Sequence, residues 1–150
     1  MQPYRILVIA NDTDDDRSVL DLLAGHGDGG PTEMLVVAPA LVGRLDYWAG
    51  DDRRARHAAE ERLDRLLDAL ARRGVAATGW VGDPDPLLAI ADALGLFAAD
   101  EIVVATSTAP QPNWLARNVV GRARERFDRP VHGLAHESTA DSQRLLTRVA

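Results

Sequence analysis

Three adjacent hydroxyl residues, Thr106, Ser107 and Thr108, stand directly after the apolar run Glu101–Ala105 (EIVVA), with Asn113, Arg117 and Asn118 shortly beyond them. Hydroxyls and a carboxamide can both donate and accept, and a guanidinium presents a fork of donors suited to an anion. A helix opening behind Asn113 would add free N–H groups and the positive end of its dipole. The competing account is local: Asn113 caps the helix and the hydroxyls satisfy loop backbone groups. The residue types leave both open. A phosphate cradle of the usual kind needs glycines and free N–H groups, and this loop carries Pro110 and Pro112 instead.

A second polar group follows the apolar run Arg5–Ala10: Asn11, Asp12 and Thr13, then Asp14, Asp15 and Asp16. Asp12 could meet a nucleoside or a hard cation. A helix cap with acids in its first turn explains the same residues more simply. Ala38, at the end of the run Glu33–Ala38 (EMLVVA), completes the candidate ligand set of Asn11, Asp12, Thr13, Ala38, Thr106, Ser107, Thr108, Asn113, Arg117 and Asn118.

Other chemistries are poorly supplied. There is no Cys, so disulfides, thiol nucleophiles and Cys-type zinc sites are excluded. All 17 basic residues are Arg, which removes Lys-based Schiff-base or P-loop chemistry. His26, His57, His132 and His136 lack metal-ligand spacing, and Ser107 and Ser138 lack a nucleophile-elbow context. No catalytic residues and no metal are expected. Leu45, Tyr47 and Trp48, within the connection Pro39–Gly50, could cover a crevice, meet a partner or fill the core. Trp114 is a stacking surface or a loop anchor.

The elements that must position these residues are legible from periodicity. Arg5–Ala10 and Glu33–Ala38 read as strands covered on both faces, Val75–Val81 as a weaker strand, Glu101–Ala105 as a fourth and Val131–Ala135 as a short fifth. Helices are expected over Ser18–Ala24, over Asp51–Arg73 ending at Gly74, from the Asp83-Pro84-Asp85-Pro86 start to Phe97, and from Trp114 to Pro130. Strands alternating with helices predict an α/β fold: a doubly wound, five-stranded parallel sheet in three layers, most economically in the order 3-2-1-4-5. The switch point then lies between strands one and four and brings Ala10–Thr13 beside Ala105–Thr108. Residues 1–135 form one domain of ordinary composition, followed by a polar tail over 136–150 with a weak helical pattern at Leu145, Leu146 and Val149.

A net charge of −6 and a pI near 5.1 speak against a nucleic-acid surface. No apolar run approaches the 18 or so residues of a membrane span, and Met1 leads into a strand with no charged-then-apolar leader. A soluble cytoplasmic protein is expected, with neither nucleic-acid nor membrane partners.

Three segments in this order resemble the universal stress protein family: Gly82-Asp83-Pro84 before an apolar helix, ADEIVVAT over 99–106, and VVGRARERFDRPV over 119–131. The similarity runs from about Arg5 to Leu134. It implies a Rossmann-like sheet of the adenine-nucleotide-binding kind, a non-enzymatic regulatory role in a stress response, an adenine nucleotide as the possible ligand, and a homodimer paired through the last strand. Nucleotide-binding members carry an Asp where this chain has Asn11. They also carry a Gly-x-x-Gly, nine-residue, Gly-Ser/Thr signature where it has Ala105, Thr108 and Arg117-Asn118. The chain is therefore expected to be a regulatory or small-ligand-binding module that does not bind ATP tightly and takes a small anionic or nucleotide ligand. The alternatives are a nucleotide-dependent enzyme of the same superfold, or a structural dimerisation protein without a ligand.

Overall fold

The computed structural model describes residues 3–11, 32–40, 53–107 and 118–136. Among these, five strands form one sheet: β1 (Tyr4–Asn11), β2 (Thr32–Pro39), β3 (Ala77–Gly82), β4 (Glu101–Ser107) and β5 (Val131–His136). The described helices are α1 (Arg53–Arg72) before β3, α2 (Pro86–Leu96) before β4, and α3 (Val119–Arg126) before β5. All pairings are parallel and the order is β3-β2-β1-β4-β5, as the alternation of elements predicts.

The central strands are apolar throughout because both their faces are covered. Ile6, Val8 and Ala10 of β1 join Met34, Val36, Val103 and Ala105 beneath Ala59, Leu63 and Leu70 of α1. The alternate residues, Leu7 and Ile9 with Leu35, Val37, Ile102 and Val104, pack on the opposite face against Leu87 and Ile90 of α2 and Val119 and Ala123 of α3. This is the two-sided burial that makes parallel strands continuous hydrophobic runs. β3, at one edge, is only half-covered and alternates in exposure.

Gly74, at φ +78°, ends the helical chain after α1, where a left-handed residue is needed. Asp85 caps α2 in extended conformation, its Oδ1 accepting from Leu87 N–H at 3.0 Å, with Pro86 in the first turn. Asp68 and Arg72 pair one turn apart on α1, and Glu61 lies 3.1 Å from His57 Nε2, one turn toward the helix start.

The strand bounds differ from those expected by one or two residues, and β5 runs on through His136, the first residue assigned to the tail. One helix differs more. The run from Trp114 was expected to be continuous, but α3 begins at Val119 and Asn118 is left-handed at φ 53° and ψ 36°. Asn tolerates that conformation better than most residues. Gly121 makes room for its side chain: a Cβ there would sit 2.6 Å from Asn118 Oδ1. The expected helix Ser18–Ala24, the residues of the 39–50 connection beyond Ala40, Trp114 and the tail beyond His136 lie outside the described residues.

Candidate functional site

β1 and β4 are neighbours whose chains leave the sheet in opposite directions, β1 toward β2 and β4 toward β5. Their ends are in register: Ala10 pairs with Ala105 and Asn11 with Thr106. This is the switch point at which ligands of open α/β sheets bind. Asn11 ends β1, Thr106 and Ser107 end β4, and Ala38 stands one residue before the end of β2 with its methyl in the core. Asn118 opens α3 with no side-chain capping bond, so its carboxamide does not serve the helix in the ordinary way. Asp12, Thr13, Thr108, Asn113 and Arg117 lie outside the described residues.

The neighbouring strand ends are held by a residue that sequence reading missed. Arg62, on α1, donates from Nη2 to the Pro39 carbonyl at 2.9 Å. Ala40 N–H donates to the Gly82 carbonyl at 3.2 Å, joining the exits of β2 and β3. The available signal was an Arg set a helical turn from both Ala59 and Leu66 of the apolar stripe.

The amino end of the sheet has a different character. Arg5 donates from Nε to Glu33 at 3.1 Å and its guanidinium lies 5.8 Å from the Phe97 ring centre. Its backbone N–H meets Asp100 at 2.9 Å, and Asp100 N–H returns a bond of 2.8 Å to the Arg5 carbonyl. Arg129 Nε donates to the Ala99 carbonyl at 2.7 Å. Glu101, 6% exposed, lies between the Tyr4 hydroxyl and His132, whose Nε2 is 3.4 Å from its Oε2. Partial burial first, then the Glu101 and Asp100 carboxylates, push the Tyr4 phenol above its ordinary value of 10.0.

Among the described residues no group of three or more His, Asp or Glu could hold a metal ion, and no helix is long and apolar enough to cross a membrane.

Comparison of the sequence with protein-family models and with curated proteins gives no match. Solved structures do resemble it. A universal stress protein from Archaeoglobus fulgidus superposes with a TM-score of 0.59 at 19% identity, over 87% of this chain and 92% of that one. A structure of the universal stress protein from the same organism in complex with dAMP gives 0.56 at 22% identity, over 88% and 98%. A universal stress protein family protein from Arabidopsis thaliana with AMP bound gives 0.60 at 12% identity, over 93% and 95%.

Proposed function

We propose that this chain, which has the universal stress protein fold, is a regulatory small-ligand-binding module that takes an adenine nucleotide or a similar small anion at the carboxyl end of β1 and β4. The observation that carries the reading is the flush pairing of Asn11 with Thr106 at the switch point, the place where an α/β sheet opens to a ligand. The AMP and dAMP held by two proteins of the same fold support the ligand class.

A triphosphate fits less well. Ala105 stands where nucleotide-binding members have glycine, and its side chain is fully buried. Pro110 and Pro112 donate no N–H groups. A left-handed backbone position survives at Asn118, the only non-glycine residue with positive φ among those described. The site is therefore a reduced one, matched to a monophosphate or a smaller anion in which the described residues bind rather than react. No base and nucleophile converge among the described residues, which supports a non-enzymatic binder working in the cytoplasm. A homodimer built on β5 would cover that edge strand.

Native mass spectrometry of freshly purified protein tests the reading. A co-purified adenine nucleotide or small anion is the expected result. Repeated absence, together with no uptake of added AMP, favours a dimerisation protein without a ligand.

A further inference from the structure

Arg62 sits in the middle of α1, beside the apolar stripe that faces β2 and β3. Its long side chain runs to the end of the sheet, where Nη2 meets the Pro39 carbonyl, while its Nε is withdrawn from solvent. Pro39 is the last residue of β2 and pairs in register with Gly82, the last residue of β3. The next bond, from Ala40 N–H to the Gly82 carbonyl, closes the joint. Three elements are thus tied at one point beside the strand ends that form the crevice. A guanidinium is suited to this task because it stays charged and its planar fork holds a fixed direction.

We infer that Arg62 is a positioning residue for the crevice: it fixes the exit of β2, and through that exit it sets the affinity for the ligand. The ligand half of this inference rests on the reading of the crevice given above; the hold on β2 does not. Losing the bond should let Pro39 and Ala40 move away from Gly82 without opening the core, because Ala59, Leu63 and Leu70 still seat α1.

Two measurements on the full chain test this, using Arg62→Ala and Arg62→Lys. Amide hydrogen exchange followed by NMR should show faster exchange at Ala40 in Arg62→Ala, with Val8 and Val103 in the sheet centre unchanged. Calorimetric titration with AMP should show a ~tenfold weaker affinity for Arg62→Ala, the size of one hydrogen bond to a charged group. Arg62→Lys, which keeps a charged donor for the Pro39 carbonyl, should recover most of both. A merely structural Arg62 would raise exchange across β1 and β4 as well. Unchanged exchange at Ala40, or faster exchange with wild-type AMP affinity, overturns the inference. If Arg62→Ala does not fold, Arg62→Lys with wild-type exchange but no recovery of affinity overturns it equally. A wild-type chain that takes up no AMP overturns the crevice reading and the ligand half with it, while the exchange experiment still decides the hold on β2.

Discussion

The two ends of the sheet are built from different materials. At the amino end, Arg5 meets Glu33 and Asp100, Arg129 holds the Ala99 carbonyl, and Glu101 lies between Tyr4 and His132, which links β1, β2, β4 and β5. At the carboxyl end, β1 to β4 finish in small or neutral polar residues: Asn11, Pro39, Gly82, Thr106 and Ser107. Charged groups that satisfy one another close a fold; neutral amide and hydroxyl residues at a switch point are the types that suit a small ligand. The contrast fits the proposed division, with stability at one end and binding at the other, and it can be broken by substitutions at each.

The largest effect is expected from Leu70, which is fully buried in the last turns of α1, where the chain turns through Gly74 toward β3. Leu70→Ala should cost ~2–5 kcal/mol in chemical denaturation. Leu66, one turn earlier on the same helix, is only partly buried, so its truncation should cost clearly less. Equal losses at the two positions would contradict this placement of α1.

Arg5→Ala removes the Glu33 pair and the contact over Phe97. Both partners of the pair are about half exposed, which holds the loss to about 1 kcal/mol. Ligand affinity should stay as in the wild type. A weakened affinity with little loss of stability would invert the roles assigned to the two ends.

At the carboxyl end, Asn118→Ala places an ordinary side chain in left-handed backbone and should cost about 1 kcal/mol, whereas Asn118→Gly should be nearly neutral. Thermal unfolding distinguishes them. Equal behaviour of the two variants would mean that the backbone at 118 relaxes.

Much of this was legible in the sequence, and for identifiable reasons. Strands covered on both faces must be apolar without interruption, so RILVI, MLVVA and IVVA could hardly be anything else, and the alternation with helices left few topologies. Gly74 and the Asp85-Pro86 start were equally plain because each serves a specific backbone conformation. The break at Asn118 was hidden because the apolar pattern continues through Ala116, Val119 and Val120, while the left-handed residue is Asn rather than Gly. Arg62 was hidden because an Arg on an amphipathic helix looks like a solvated residue, and its partner is a backbone carbonyl 23 positions away. The amino-end network escaped for the same reason: Tyr4, Glu101 and His132 meet only once β1, β4 and β5 are aligned.

The smallest expected effect concerns Tyr4. A phenol whose value is raised in the folded chain holds its proton more tightly there than in the unfolded chain. Its contribution is therefore complete below pH 10 and is lost as pH rises through the folded value. Stability should decline slightly above pH 10, and Tyr4→Phe should flatten that decline. Urea denaturation at pH 9 and pH 11 measures it; an identical slope in wild type and variant would detach Tyr4 from the Glu101 network.

The division between the two ends is tested most directly by calorimetric titration of the purified chain with Mg-ATP, alongside AMP. A reduced site without the glycine cradle predicts ATP binding no tighter than ~100 μM, about −5.5 kcal/mol, with AMP bound at least as tightly. A low-micromolar constant for Mg-ATP would show that the carboxyl end holds a complete triphosphate cradle, and would contradict the account.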